Sequence, residues 1–320
     1  MMISRREFLT LAAVCGLDLT SQSYNAAAAT GSAIAAMGTT ILPLWPDLPP
    51  GGGGPSGPPK VTVRGAVSNI ATPSIEIFRP QTPNGAAVLV AAGGGYRRME
   101  MGNEAHPAAH WLAERGMTAF VLSYRLPGEG WTVGPLAPLQ DAQRALRLIR
   151  ARSAEFSVDP KRIGVLGFSA GGHLLGLAAD RSAFRSYAAI DATDAVSARP
   201  DWAALIYPVI SLKPPYDQTS TRKQLVGKHP SAAESAEWSV ETHVGAHCPP
   251  MFLTQAEDDP ISDPQNTVIM KAACDRAGIP CELLQLESGG HGFGMGKPGT
   301  PTAAWSGRFE TWLRTVGTLP

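Results

Sequence analysis

The chain of 320 residues carries no excess of either charge, with 27 Lys and Arg balanced by 27 Asp and Glu. That balance leaves no electrostatic footprint for nucleic acid or for an anionic membrane surface. No run of eighteen apolar residues occurs, so an ordinary membrane-spanning helix is not expected. Cysteine is scarce, and Cys15, Cys248, Cys274 and Cys281 have no zinc-site spacing with histidine. There is no internal repeat. The triple glycine Gly93-Gly94-Gly95 has neither the G-x-G-x-x-G spacing nor the Walker lysine of a phosphate cradle. No metal or organic cofactor is expected.

What is present begins with an address. Arg5-Arg6 stand ahead of Phe8 and a modestly apolar segment, and small residues follow in "YNAAAAT" at 24–30. This resembles a twin-arginine export signal, and implies a leader over residues 1–29 and a periplasmic or secreted protein. Cys15 follows Val14, where lipidation needs a small residue. With the leader gone, three cysteines remain, so one intramolecular disulfide at most is available. Cys274–Cys281 and Cys248–Cys281 are the pairings considered, and three free thiols are the alternative. Residues 30–59, with "PLWPDLPPGGGGPSGPP", read as a Pro/Gly-rich linker or arm, which starts the catalytic domain at Lys60.

From there strand and helix patterns alternate. "KVTVRGAV" and "SIEIFRP" have the period of two expected of strands, and "AAVLVAAGGG" is a continuous apolar run suited to a buried strand. "EAHPAAHWLAERG" predicts a helix closed by Gly116, and "MTAFVLSYRLP" another buried strand. Leu139, Ala142, Leu146 and Ile149 fall at helical spacing. "RIGVLGFS", "WAALIYPVI", "PMFLTQAED" and "PCELLQLES" are further strands, separated by helices, with residues 211–247 a polar, irregular insertion. Such alternation predicts an α/β fold with a mostly parallel sheet covered on both faces.

The chemistry gathers at predicted strand ends. Gly-Phe-Ser-Ala-Gly at 167–171 fits G-x-S-x-G, in which small residues flank a serine at a sharp strand-to-helix turn. Ser169 is therefore the candidate nucleophile, and it sits where a helix dipole favours developing negative charge. A serine needs a base, and the base an orienting acid. Of seven histidines, His291 lies in the glycine loop "ESGGHGFGMG" after the last strand, where it can reach Ser169. His173, inside the helix after the elbow, is expected to pack. "TQAEDDPISDPQN" supplies the acid. Asp259, further into the turn and before Pro260, is favoured, with Asp258 the alternative, while Asp263 is expected to cap the next helix. The amides of Gly94, Gly95 and Ala170 are the candidate oxyanion donors.

Together these pieces resemble the α/β-hydrolase fold, and within it the bacterial esterases related to acetyl xylan esterases and hormone-sensitive lipases. "GGGY" at 93–96, "SYRLP" at 123–127, "DPKRIGVLGFSAGG" and "GGHGFG" carry the likeness across residues 60–317. The resemblance implies Ser169 as nucleophile, His291 as base, and an Asp just before Pro, which is Asp259, as acid. It implies hydrolysis of short acyl esters, acetyl first, on small esters or acylated oligosaccharides such as xylan fragments. Oligomeric state is left open. Three features depart from the pattern. Ala92 stands where the lipase group has a histidine, Asp263 stands where related esterases often have proline, and the long amphipathic N-terminal cap is replaced by the Pro/Gly arm. Two rival readings are a prolyl-oligopeptidase-type peptidase, whose large propeller 60 residues cannot supply, and a non-catalytic carbohydrate-binding protein on the same scaffold. Trp131, Tyr216 and Trp238 are the aromatic residues weighed as sugar contacts.

Overall fold

The apolar runs form the middle of an eight-stranded sheet. Its strands are β1 (Thr40–Pro43), β4 (Ser74–Phe78), β5 (Ala87–Ala91), β6 (Thr118–Ser123), β7 (Ile163–Phe168), β8 (Trp202–Ile206), β9 (Met251–Ala256) and β10 (Cys281–Leu286). In this computed structural model, which describes residues 40–320, the spatial order is β1-β4-β6-β5-β7-β8-β9-β10. The first two pairings are antiparallel and all the others parallel. Strands β5, β7, β8 and β9 are buried at every position. That is why they read as unbroken apolar segments rather than alternating ones. Helices α1 (His106–Ala113), α2 (Leu136–Ala151), α3 (Ala170–Asp180), α6 (Gln265–Ala277) and α7 (Trp305–Thr315) accompany them. No helix among the described residues is long and apolar enough to cross a membrane.

Two expectations need correction. "KVTVRGAV" is not one strand. It folds back into a hairpin, β2 (Lys60–Val61) with β3 (Val67–Ser68), because Gly65 takes a φ of 75° and the Thr62 hydroxyl accepts the Ala66 N–H. The domain also starts before Lys60. Thr40–Pro43 is an edge strand of the main sheet, and Leu44 and Trp45 are buried behind it. The arm folds because it satisfies buried charge. Its Leu44 carbonyl accepts from Arg144, its Pro50 carbonyl accepts from Arg125, and the Trp45 indole donates to Asp141. The Pro/Gly composition suits this role, since its carbonyls are offered without a ladder of their own. Trp131 closes over the arm against Gly54, so it is a packing residue. Residues 1–29, where an export signal is expected, and residues 30–39 lie outside the described residues.

Arg125 and Asp141 form a fully buried ion pair at 2.9 Å. Taking away one partner leaves the other charge dry, so Asp141→Ala is expected to cost about 3–5 kcal/mol of stability in chemical denaturation. A loss below about 1 kcal/mol would refute that role.

The insertion at 211–247 is less irregular than its polarity suggests. It holds α4 (Ser220–Val226), capped by Thr219, and α5 (Ala232–Glu237), opened by a capping box of Ser231 and Glu234. Asp263 accepts the Gln265 N–H at the start of α6. All three cysteines in the described residues are free thiols, Cys248 and Cys274 buried and Cys281 half-buried.

At the far end of α3, Asp180 is buried with only the weak Cys248 thiol donor beside its carboxyl. Burial lifts its pKa from 3.8 to about 7. The folded chain therefore holds a proton there that the unfolded chain has lost, and this stabilisation disappears as pH rises from about 4 through 7. Asp180→Asn lacks that dependence. Its stability relative to wild type is expected to improve by about 1–3 kcal/mol between pH 5 and pH 8. Parallel pH–stability curves for the two proteins would contradict this.

Candidate active site

Five loops meet at the C-terminal ends of the parallel strands. They follow β5, β7, β8, β9 and β10, and each brings one part of the site. The turn after β7 is tight enough to strain its central residue. Ser169 itself has φ 50° and ψ −116°, a left-handed conformation for a non-glycine residue. The flanking glycines are needed for space. A Cβ at Gly167 would lie 2.4 Å from the Gly171 carbonyl oxygen, and one at Gly171 would lie 2.2 Å from that of Ala91. The backbone of the elbow thus packs directly on the end of β5.

Ser169 Oγ is 2.8 Å from His291 Nε2, and His291 Nδ1 is 2.7 Å from Asp259 Oδ2. The Asp259 side chain is fully buried and that of His291 is partly exposed. The other Asp259 oxygen accepts the Ile261 and Ser262 amides, which fixes the carboxylate plane. Asp258 faces away from the histidine ring. Its Oδ1 accepts the Gly289 and Gly290 amides, and so pins the base of the loop that carries His291. The two neighbouring aspartates divide the work, one contacting the imidazole and one holding its loop.

The Gly94, Gly95 and Ala170 amides have no acceptor among the described residues. Gly94 and Gly95 line a pocket of about 330 Å³ together with Ser169, His291, Val209, Ile261 and Thr219–Thr221. The insertion contributes to it directly, since Ser220 Oγ donates to the Gly95 carbonyl. Beyond it a wider, polar cleft of about 850 Å³ runs to the β2–β3 hairpin and shares Arg98, Glu100, Asn103 and Gly292 with the inner pocket. Among the described residues no Phe, Tyr or Trp lines either space. Trp238 is buried, with its carbonyl against His173.

With Ala92 in place of a histidine, the glycine stretch is ordered from below. Tyr124 donates to the Ala92 carbonyl, and Tyr96 hydrogen-bonds His173 at 3.0 Å. Burial drives the His173 pKa down to about 4, so it is a neutral packing residue, as its place in the helix suggests. His106 pairs with Glu76 outside the site. Glu104, which sequence reasoning passed over as the start of a helix, lies buried inside the pocket and accepts the Gly93 amide. No group of three or more metal-ligating side chains occurs among the described residues.

The BD-FAE family model matches residues 75–274, more than half of the chain. An acetylxylan esterase of Xylanibacter ruminicola is 30% identical over 223 residues, which are 68% of this chain and 43% of that protein. The endo-1,4-beta-xylanase B of Butyrivibrio fibrisolvens is 33% identical over 205 residues, 64% of this chain and 32% of that one. This chain thus spans less than half the length of either relative. Among solved structures, an acetyl ester-xyloside bifunctional hydrolase from Caldicellulosiruptor lactoaceticus superimposes with a TM-score of 0.73 at 33% identity, covering 88% of this chain and 97% of that one. An esterase from Thermogutta terrifontis gives 0.64 at 26% identity, over 82% and 93% respectively. The elbow, the sheet order and these matches agree, and the chain belongs to the BD-FAE family, with the α/β-hydrolase fold.

Proposed function

We propose that the protein is a serine carboxylic ester hydrolase that removes short acyl groups, acetyl foremost, from xylan-type saccharides. One observation carries this reading: the continuous hydrogen-bonded line from Ser169 through His291 to Asp259, facing three amides that lack an acceptor. Ser169 Oγ attacks the ester carbonyl while His291 Nε2 takes its proton. The charge that forms on the carbonyl oxygen meets the Gly94, Gly95 and Ala170 amides, at the positive end of α3. His291, now an imidazolium held by Asp259, protonates the departing alcohol. Water then enters, gives its proton to His291 and attacks the acyl-enzyme, which releases the acid and restores Ser169.

The substrate side follows from shape. The inner pocket is small, which suits a short acyl group, and the outer polar cleft offers room for a hydrophilic alcohol. The names of the relatives, acetylxylan esterase and acetyl ester-xyloside hydrolase, support acetyl on a xylose-based chain. Arg5-Arg6 and the alanine-rich stretch after them support export before the enzyme meets such a polymer. The test is acetate release from acetylated xylan beside p-nitrophenyl acetate. Release from both is expected. Cleavage of the small ester without release from xylan would sink the saccharide assignment, and cleavage of neither would sink the hydrolase.

A further inference from the structure

The largest unexplained feature of the pocket is its buried carboxylate. Glu104 sits on a π-helical turn, Met101–Ala105, which precedes α1. Wide turns of this kind re-aim a side chain that an α-helix would leave on its surface. Here Glu104 Oε2 accepts the Gly93 N–H at 2.6 Å and Oε1 accepts the Tyr207 hydroxyl at 2.9 Å. The Tyr207 oxygen in turn accepts the Gly294 N–H at 3.1 Å, and the Tyr207 ring stands edge-on to His291 with centroids 4.9 Å apart. Tyr207 is held at a φ of 38°, a strained conformation that these contacts over-determine.

We propose that Glu104 is a positioning residue that ties the oxyanion strand end, through Gly93, to the loop of the general base, through Tyr207 and Gly294. The proposal rests on the hydrolase reading above. Gly93 immediately precedes the two oxyanion glycines, and a Cβ there would lie 2.6 Å from the Ser169 Cβ, so this backbone has one place to be. Gly294 lies three residues past His291. One carboxylate therefore sets the distance between the groups that hold the oxyanion and the group that moves the proton. An error of about 1 Å in such a distance costs on the order of 100-fold in rate.

The tie is matched to the ionised carboxylate. Two donors meet two acceptor oxygens, and a proton on either oxygen displaces one of them. His291, Glu100, Tyr207 and Tyr124 are the titratable groups that face it. Burial is the strongest influence and raises the Glu104 pKa, the Gly93 and Tyr207 hydrogen bonds and His291 lower it, Glu100 raises it, and it rests at about 7. The network thus loosens as pH falls through about 7.

The experiment is a set of pH–rate profiles with p-nitrophenyl acetate for wild type, Glu104→Gln and Tyr207→Phe. The acid limb of wild-type kcat is expected to carry two protons. Glu104→Gln is expected to lower kcat about 10- to 100-fold, to change KM less than about 3-fold, and to leave a one-proton limb. Tyr207→Phe removes a donor that favours the ionised form, so its acid limb moves to higher pH as kcat falls. A folded Glu104→Gln protein with kcat within about 3-fold of wild type and an unaltered acid limb overturns the proposal. Should that variant fail to fold, Tyr207→Phe decides alone, and an unshifted limb with near-wild-type kcat overturns it. Absence of turnover in wild type would instead overturn the hydrolase reading.

Discussion

Ser169→Ala is expected to lower ester turnover by about 10⁴- to 10⁶-fold, leaving only what the oxyanion amides and substrate binding contribute. The size follows from the mechanism. The serine, the imidazole at 2.8 Å and the carboxylate behind it act as one unit, so removing the atom that attacks leaves the other two with nothing to activate. A fluorophosphonate is expected to label wild type on Ser169 and to leave the variant unlabelled. Alanine keeps the backbone of the elbow, including its positive φ. A variant that retains more than about a hundredth of wild-type activity with unchanged circular dichroism would remove Ser169 from the mechanism.

The second large effect separates two adjacent residues. Asp259→Asn is expected to lower kcat by about 10⁴-fold, because an amide facing His291 Nδ1 favours the tautomer that cannot accept the serine proton. Asp258→Asn is expected to stay within about 3-fold of wild type. Its remaining carbonyl oxygen can still accept the Gly289 and Gly290 amides, and it has no contact with the imidazole. Equal losses in both variants, or a larger loss at Asp258, would reverse the assignment. Both measurements use one small ester, so the identity of the natural alcohol does not enter.

Much of this site could be read without coordinates, and the reason is local. A nucleophile elbow, an Asp-Pro turn after a strand and a glycine loop bearing histidine each leave a short signature, because each is built within a few residues of one strand end. Glu104 left none. Its partners are the Gly93 amide and a tyrosine 103 positions away, and nothing in "NEAHPAAHW" distinguishes a glutamate aimed into the pocket from one on a helix surface. The arm at 40–59 was misread for a related reason. Its composition is that of a flexible segment, and its order comes from Arg125 and Arg144, whose need for carbonyl acceptors appears only once α2 is packed. The hairpin at 60–68 shows the opposite failure. The period of two was real, but Gly65 turned the chain halfway along it.

The close approach of backbone to backbone around Ser169 also limits how this pocket can change. Gly93, Gly94 and Gly95 have no room for a side chain, since a Cβ at each would fall within 2.3–2.7 Å of Ser169, Arg98 or Ser220 atoms. Gly171 is blocked in the same way by the end of β5. The glycine stretch beside Ser169 is therefore closed to substitution. Val209, Ile261 and Thr219–Thr221 line the same pocket with side chains, as do Arg97, Arg98, Glu100 and Asn103. Adaptation to a new acyl group, by selection or by design, has to pass through such side chains rather than the glycines, and three of them, Thr219, Ser220 and Thr221, lie on the insertion.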